Sequence, residues 1–402
     1  MFRPEGVYPA MLTPFDENGK INEPVMRDIV DFFIDKGVDG LFPVSSVGEF
    51  AHLTLDERKK LIDIVVDQAK GRVPVTPGVG ATYPGHVLEV AKHAQAAGCA
   101  AVVICGPYYY SISQGMVEKH FETIADALDM PIILYNIPSF ANEISPAVIG
   151  RLSFRPNIVG IKDSSGNLTN MTHVIDFAAN AKVEFNVLTG SEQIFYPVLC
   201  AGGKGSMTGS ASVVPELMVK IYRSFLAGDH AAAKRAQFLL LPLLRQMLTV
   251  PFPVGFKAAL ETRGFPMGPF VQPLAPGEES LYGKIKDQLR QGVEIITAEL
   301  ETFQTTAKAG ISMPAFAATG GETMQKKMRR QELALPDNEA REILAKADYG
   351  YLATADPSGP PYAVPLNYAV DGDKLYIHCA KSGHKIDNIL ANPQVGFSVT
   401  GE

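Results

Sequence analysis

The sequence predicts an α/β protein, a (β/α)8 TIM barrel with a C-terminal helical extension, followed by a small β-rich domain that is incomplete. Short apolar, β-rich runs alternate with amphipathic stretches, at spacings of roughly 25–35 residues that match one βα unit. After about residue 208 the chain reads as mainly helical, and near Met324 a second pattern begins. Eight β-rich runs begin near Val7, Val38, Val73, Ala100, Pro131, Asn157, Val183 and Gly203.

The stretches between these runs carry helix start signals. Thr54 followed by Glu57 predicts a capping box, in which each residue satisfies a backbone N–H of the other. Ser145 before Pro146 predicts an N-cap with proline in the first helical turn, and Asn22 is a candidate cap for the first helix. An open, doubly wound sheet is the alternative to the barrel, but such sheets usually have fewer strands.

The pattern divides the chain into four segments. The barrel is predicted over 1–215 and its helical extension over 216–304, because two apolar helical stretches there need a packing partner. Residues 305–323 are small and Gly/Ala-rich, which predicts a linker. In 324–402 a helix pattern is followed by runs of period two, which predict an antiparallel meander. Its final run has no successor, so this domain is expected to be incomplete.

Composition and charge exclude several classes. The chain has 402 residues, with 36 Lys plus Arg against 43 Asp plus Glu, and a net charge of −7. An acidic balance argues against a nucleic-acid partner, which requires a basic face. No apolar run approaches the roughly 20 residues of a membrane span, and no signal peptide is visible. The 4 cysteines are scattered without CxxC spacing, which predicts reduced thiols in a cytoplasmic protein and no metal site.

Two residues at the ends of predicted strands are candidates for chemistry, because catalytic groups of such barrels lie at the C-terminal strand ends. Lys162 ends the apolar run IVGIK, where burial lowers the pKa of an amine and favours a Schiff base with a carbonyl compound. The alternative is a lysine that extends to the rim of the barrel. Tyr135 ends the run PIILYN and is a candidate proton shuttle or, alternatively, a rim aromatic.

Two loops add polar groups at the same end of the predicted barrel. Ser45 and Ser46 begin a turn whose backbone amides suit a carboxylate better than a metal ion. The other loop contains the three tyrosines 108–110. The alternative interpretation of the serine turn is an ordinary helix-entry loop. The alternative for the three tyrosines is an oligomer contact.

Taken together, these pieces resemble the dihydrodipicolinate synthase / N-acetylneuraminate lyase family of class I aldolases over about residues 5–300. The resemblance implies that Lys162 forms an imine with a 2-oxo acid, usually pyruvate, and that no cofactor is needed for this reaction. It also implies a homotetramer that is a dimer of dimers. The matching motifs are S-S-V-G-E at 45–49, P-Y-Y at 107–109, Y-N-I-P at 135–138, G-I-K-D at 160–163 and G-G-K-G at 202–205.

The resemblance also assigns the remaining barrel residues. It implies a hydroxyl relay of Ser46, Tyr135 and Tyr109, the last lent across a subunit interface. Val47 replaces a second threonine of the family, so the amides of Val47 and Gly48 are expected to bind the carboxylate. The other residues expected to contact substrate are Phe140, Gly190, Glu192, Gln193 and Met207.

The departures from the family pattern bear on the substrate. Phe140 stands where the dihydrodipicolinate synthases of the family have an arginine for the second substrate's carboxylate, and a phenyl ring cannot make that contact. We therefore predict cleavage or formation of a 2-keto-3-deoxy sugar acid, with pyruvate and an aldehyde as partners. Synthesis of 4-hydroxy-tetrahydrodipicolinate from pyruvate and aspartate semialdehyde is the alternative. A barrel that binds a 2-oxo acid without turnover is a third hypothesis, disfavoured by the presence of Lys162 and Tyr135.

From Met324 onward the chain resembles the N-terminal part of the pyridoxamine 5′-phosphate oxidase-like FMN-binding split barrels. The motifs are MRRQE at 328–332, GYLATAD at 350–356, YAVPLNYA at 362–369 and LYIHCAKSGHKIDNILANPQVGF at 375–397. FMN is thus a possible cofactor, although the fold normally continues for more strands, and a flavin oxidoreductase is the alternative function. The residues implied to contact the flavin or its phosphate are Val364, Pro365, Asn367, His378, Lys381 and Lys385.

Overall fold

The computed structural model divides the chain into two compact units, Met1–Ser312 and Met313–Glu402, which are described separately. The division falls inside the segment predicted to be a linker. The described residues are 2–308, 350–355, 361–366, 368–371, 374–377, 384–392 and 395–398.

The first unit is built around a parallel sheet of six strands in the order β1-β6-β5-β4-β3-β2. Parallel bridges Ala10↔Phe42, Leu41↔Val75 and Gly78↔Val103 connect β1 to β2 through two further extended segments, so the sheet closes into a ring of eight. The predicted TIM barrel is therefore confirmed. The strands are β1 (Gly6–Pro9), β2 (Val102–Cys105), β3 (Ile132–Asn136), β4 (Ile158–Asp163), β5 (Asn186–Thr189) and β6 (Gly205–Thr208).

The second and third predicted runs contribute bridges and no full strand. Pro43, Pro74 and Pro77 lie in these two segments, and proline has no N–H to donate to a ladder. The remaining backbone groups still pair across the gap: Phe42 N–H donates to Pro9 O at 3.1 Å, and Val103 N–H to Pro77 O at 2.9 Å. The ring is closed with fewer hydrogen bonds there.

The strand register decides which side chains share the inner face at the C-terminal end. Tyr135 pairs with both Cys105 and Lys162, and Lys162 pairs with Leu188. Paired residues of parallel strands lie on the same face of a sheet. Cys105, Tyr135 and Lys162 therefore form one row, and all three are buried.

The helices between the strands begin where the sequence signals predict. Thr54 accepts from Glu57 N–H, and the Glu57 side chain returns to Thr54, which completes the capping box. Ser145 caps its helix through Val148 N–H, whereas the Asn22 side chain makes no capping bond. The helices are α1 (Glu23–Asp35), α2 (Leu55–Ala69), α3 (Pro84–Ala96), α4 (Gln114–Ala127), α5 (Pro146–Leu152), α6 (Leu168–Asn180), α7 (Phe195–Cys200) and α8 (Ser210–Val213).

The helical extension comprises α9 (Pro215–Leu226), α10 (His230–Met247), α11 (Val254–Glu261) and α12 (Glu278–Lys308). Helix α12 packs against α10 and α11, and its Leu289 and Ile296 are 0% and 1% exposed. Its last residues lie past the predicted start of the linker at 305. Among the described residues, no helix is long and apolar enough to cross a membrane.

The second unit contains antiparallel strands, as the period-two pattern predicts. β7 (Gly350–Ala355) pairs with β8 (Pro361–Leu366) and with β11 (Gly396–Ser398), and β9 (Tyr368–Asp371) pairs with β10 (Lys374–Ile377). Helix α13 (His384–Ala391) packs on β7, where Asn388 Nδ2 donates to Thr354 Oγ1 at 3.2 Å. The helix predicted over 337–347 lies outside the described residues.

Candidate active site

Lys162 ends β4 and points into the barrel with only 3% of its surface exposed. Its Nζ lies 4.1 Å from the centre of the Tyr135 ring and 4.6 Å from that of Phe42. Burial lowers the pKa of this amine from 10.5 to about 7, although the Glu192 carboxyl acts in the opposite direction. The site therefore holds a largely desolvated amine, which is the state that attacks a carbonyl carbon.

A glycine makes room for the lysine. A Cβ on Gly190 would lie 2.8 Å from Lys162 Cε and 1.9 Å from Ser164 Oγ, so a side chain there would displace both. The strand end is held by Asp163, whose carboxylate accepts Asn136 Nδ2 at 2.9 Å and Ser165 N–H at 2.8 Å. These bonds orient the chain as it leaves the barrel, directly after Lys162.

Tyr135 places a phenol beside the amine. Its hydroxyl lies 3.4 Å from Ser46 Oγ and also forms a hydrogen bond with Ser164. Burial is the main influence on its pKa and raises it above the ordinary 10, so the phenol stays protonated at neutral pH. A neutral phenol between two hydroxyls can pass a proton in either direction. The structure therefore brings together Lys162, Tyr135 and Ser46, which the sequence predicted separately.

The turn at 45–49 offers backbone amides for an anion. Ser45 Oγ donates to Met11 O at 2.9 Å and accepts the Gly48 N–H at 3.1 Å, so the Gly48 amide is already engaged. Among the described residues, neither Ser46 N–H nor Val47 N–H has a hydrogen-bond partner. Adjacent free amides in a turn form a concave anion site. The amide pair available to a carboxylate is thus one residue earlier than the predicted pair Val47 and Gly48.

A buried ion pair that the sequence analysis missed holds the end of this turn. Glu49 adopts a left-handed backbone conformation, with φ of 59°, and its Oε1 accepts Lys257 Nζ at 3.2 Å. Lys257 is 1% exposed, also donates to Pro269 O at 2.6 Å and lies over the Phe270 ring. Lys257 is 208 residues from Glu49 along the chain, so no local pattern indicates the pair.

The residues predicted to contact substrate after β5 and β6 are dispersed. Glu192 is half-buried, and its Oε1 accepts the Ser210 N–H at 3.1 Å; burial raises the pKa of this carboxyl. Gln193 is exposed. Met207 is fully buried in β6 and pairs with Tyr8. Glu192 is therefore the member of this group with an electrostatic link to Lys162.

A cavity of about 300 Å³ opens beside Ser46 and continues outward. Phe140, 54% exposed, lies on its wall. Tyr109 is 87% exposed and does not line it among the described residues, whereas Tyr108 does. A role for Tyr109 in the relay depends on a second chain and stays a prediction. Further lining residues, which the sequence analysis had not selected, include Phe50, Ile137, Ala141 and Phe252.

A TIM barrel with a buried lysine at the end of a strand and a phenol beside it has the architecture of an imine-forming lyase. A sequence model of a protein family, described as "Dihydrodipicolinate synthetase family", matches residues 3–292. The 4-hydroxy-tetrahydrodipicolinate synthase of Methanothrix thermoacetophila is 36% identical over 290 residues, which are 72% of this chain and 96% of that protein. That of Methanosarcina barkeri is 35% identical over 288 residues, 71% of this chain and 98% of that protein.

The chain belongs to the dihydrodipicolinate synthetase family, and it is a Schiff-base-forming lyase of the class I aldolase type. A prophage protein of E. coli K12 from the dihydrodipicolinic acid synthase family, solved with pyruvate, is 31% identical with a TM-score of 0.68. That comparison covers 72% of this chain and 98% of the other. The 4-hydroxy-tetrahydrodipicolinate synthase of Methylacidiphilum fumariolicum SolV gives a TM-score of 0.70 at 27% identity, covering 75% and 99%.

A second family model, described as "Pyridoxamine 5'-phosphate oxidase", matches residues 336–401, which confirms the resemblance of the C-terminal unit. Of the residues implied to contact FMN, Val364 and Pro365 lie on β8, opposite Leu352 and Tyr351 of β7. Lys385 lies in α13. Asn367, His378 and Lys381 lie outside the described residues.

Proposed function

We propose that the barrel cleaves or forms a carbon–carbon bond through an imine between Lys162 and pyruvate. The observation that supports this most directly is the position of Lys162, buried at the C-terminal end of β4 against the Tyr135 ring at 4.1 Å. An amine with a pKa of about 7 is available as a nucleophile at neutral pH without a separate base.

In the cleavage direction the substrate is a 4-hydroxy-2-oxo acid. The Lys162 amine adds to C2, and loss of water forms the imine. With the imine protonated, Tyr135 takes the proton of the C4 hydroxyl as its own phenolic proton passes to Ser46. The C3–C4 bond breaks, C4 leaves as an aldehyde, and the electron pair moves through C2 to the imine nitrogen, which leaves a neutral enamine. Protonation at C3 and addition of water then release pyruvate and the free amine. Condensation is the same sequence in reverse.

The surrounding groups serve this sequence of proton transfers. Ser46, 3.4 Å from the Tyr135 hydroxyl, carries the proton onward, and the amides of Ser46 and Val47 bind the carboxylate of the 2-oxo acid. Tyr109 completes the relay from a neighbouring subunit of a homotetramer. The protein is proposed to act in the cytoplasm.

Two partners of pyruvate follow from different observations. The sequence favours a 2-keto-3-deoxy sugar acid as the substrate, because Phe140 and Val47 replace groups that bind the second substrate's carboxylate and the 2-oxo acid in the synthases. The names of the methanogen relatives support aspartate semialdehyde and 4-hydroxy-tetrahydrodipicolinate synthesis instead. The imine chemistry is common to both.

Reduction with borohydride in the presence of pyruvate tests the imine. We expect a pyruvyl adduct in the intact mass, mapped to the Lys162 peptide. Lys257 is a matched internal control, because it is equally buried but already bound by Glu49 and Pro269 O. The Lys162→Met variant should fold and acquire no adduct. An unmodified wild-type protein, or an adduct elsewhere, would contradict the proposal.

FMN binding by the C-terminal unit is a second candidate function, supported by the match over 336–401. When bound, FMN would supply redox chemistry that is separate from the barrel reaction. Val364 and Pro365 on β8 and Lys385 on α13 are the described residues proposed to hold it. Titration of the full chain with FMN, followed by flavin fluorescence, tests this. Unchanged fluorescence at saturating protein contradicts it.

A further inference from the structure

The cavity beside Ser46, which we call the aromatic pocket, has a mainly apolar lining that also includes Glu49 and His52. Its larger apolar lining residues are Phe50, Tyr108, Ile137, Phe140 and Phe252. The rings of Phe140 and Phe252 are 5.4 Å apart between centroids, and those of Phe50 and Tyr108 are 6.3 Å apart in an edge-to-face arrangement. The centroids of the Phe252 and Phe256 rings are 5.9 Å apart. Such stacked and edge-to-face pairs present their carbon surfaces to whatever enters between them.

The pocket continues from the reacting centre. Ser46 and Cys105 form its inner end; Ser46 lies 3.4 Å from the Tyr135 hydroxyl, and Cys105 pairs with Tyr135 across the sheet. A substrate bound to Lys162 through C2 therefore directs its C4 substituent toward this space. The volume of about 300 Å³ is large for such a group, since an apolar cavity of roughly 150 Å³ already binds benzene.

The lysine and arginine side chains near the pocket are bound to other groups of the protein. No lysine or arginine is among the described residues that line it. The lining does include His52, whose Nδ1 lies 3.7 Å from the Glu49 carboxylate, which is also in the wall. Arg58 lies behind the Phe50 ring, is 5% exposed and donates to Leu53 O at 3.1 Å and Gly80 O at 2.9 Å. Lys257 is held by Glu49. A carboxylate on the aldehyde would lose its hydration here without gaining a charge-assisted bond, which is unfavourable.

We propose that the aldehyde partner carries an apolar group, an aryl ring or a short alkyl chain, and that the aromatic pocket holds it during C3–C4 cleavage. The inference rests on the proposed imine reaction with Lys162, and it replaces both the sugar acid as the substrate and aspartate semialdehyde as the partner of pyruvate. A polyhydroxylated chain would leave several hydroxyls against ring carbons, whereas an aryl group gains stacking and loses unfavourable contact with water.

The test compares four reactions of the full chain. The first two are cleavage of 4-hydroxy-4-phenyl-2-oxobutanoate and of 2-keto-3-deoxygluconate, each followed by pyruvate release. The other two are condensation of pyruvate with aspartate semialdehyde and with benzaldehyde. We expect kcat/KM for the phenyl substrate to exceed that for 2-keto-3-deoxygluconate in cleavage by at least about tenfold, the scale of discrimination that apolar pockets achieve. In condensation with pyruvate, benzaldehyde should exceed aspartate semialdehyde by the same factor. A preference for the sugar acid or the semialdehyde overturns the inference.

Variants distinguish a loss of pocket contacts from a general loss of folding. Phe252→Asn should lower kcat/KM for the phenyl substrate by about tenfold, mainly through KM, whereas Phe252→Leu keeps an apolar lining and most of the rate. Phe154→Asn is the matched control, because Phe154 is 62% exposed and packs edge-to-face on Phe177 outside the pocket lining. Equal rates for Phe252→Asn and the control would overturn the inference.

Borohydride trapping with pyruvate needs no aldehyde. It therefore distinguishes failure of the imine reaction from failure of the inference about the aldehyde partner. An adduct on Lys162 together with a preference for the sugar acid or semialdehyde overturns the apolar partner and leaves the imine reaction standing. Absence of the adduct removes the imine reaction and the partner inference with it. An adduct together with the preference for the phenyl substrate supports both.

Discussion

The pKa of Lys162 has a measurable consequence for the pH dependence of the reaction. Burial lowers this pKa from 10.5 to about 7. At pH 7 roughly half of the amine is then unprotonated, against about one part in 3,000 at the ordinary value. Imine formation should therefore rise about tenfold per pH unit at low pH, reach half its plateau near pH 7 and be level above pH 8.

Exchange of the pyruvate methyl protons in deuterated buffer measures this without an aldehyde, because it needs only the imine and enamine. The loss of the methyl signal is followed by NMR, and kcat/KM reports the pKa of the free enzyme. Glu192→Gln should move the midpoint to lower pH, since the Glu192 carboxyl favours the protonated lysine. Tyr135→Phe should lower the plateau by about 10²-fold or more without moving the midpoint.

The same pKa predicts a stability effect of definite sign. Between pH 7 and 10.5 the unfolded chain binds a proton that folded Lys162 has released, so stability rises with pH across that window. Lys162→Met should therefore unfold at higher denaturant concentration at pH 7, by on the order of 4 kcal/mol at most. An exchange rate that still climbs tenfold per unit above pH 9 would refute the argument that burial sets this pKa.

Three further predictions follow from the first unit. Lys257→Met should lower the free energy of unfolding by about 3–5 kcal/mol and raise KM for pyruvate, because buried Glu49, at the end of the 45–49 turn, loses its lysine partner. Gly190→Ala should abolish proton exchange with an unchanged circular dichroism spectrum, because the new Cβ displaces Lys162. His120, whose pKa burial lowers to about 4, binds its proton more weakly when folded, so stability should fall from pH 6.5 to 4, but not in His120→Leu.

Each of the three has a control and a refuting result. Glu49→Gln in the Lys257→Met background should recover part of the lost stability; full additivity of the two changes would contradict coupling of the pair. Gly283→Ala is the control for Gly190→Ala, since no atom lies within 4 Å of its added Cβ and α12 should gain from alanine. An active Gly190→Ala enzyme, or acid destabilisation that persists in His120→Leu, would refute those two arguments.

Much of the architecture follows from local periodicity. Residue alternation, the capping box at Thr54 and Glu57, and the Ser145 cap act over a few positions, so they are visible in the sequence. The second and third barrel segments are predicted as β-rich runs like the other six, but in the structure they form isolated bridges. Their apolar content indicates an extended conformation, but the prolines determine how many ladder bonds are lost, and the neighbouring strands determine which bridges remain.

The residues of the candidate site also fall into two groups: those that a local sequence pattern indicates and those that only the fold brings together. Lys162 and Tyr135 were found because each ends an apolar strand, a position the barrel uses for chemistry. The Glu49–Lys257 ion pair and the Phe140–Phe252 ring contact join residues separated by more than 100 positions, and no periodic signal connects them. The hydrogen bond from the Gly48 amide to Ser45 Oγ likewise becomes visible only in the folded turn.

The sequence by itself determined the barrel class, the family and the lysine on which the chemistry rests, because these depend on alternation, short motifs and the identity of single residues. Only the tertiary structure decided the lowered pKa of Lys162, the free amides at 46 and 47, and the mainly apolar lining of the cavity beside Ser46. Burial, hydrogen-bond satisfaction and the lining of a cavity are properties of groups that distant parts of the chain bring together, so no local pattern contains them.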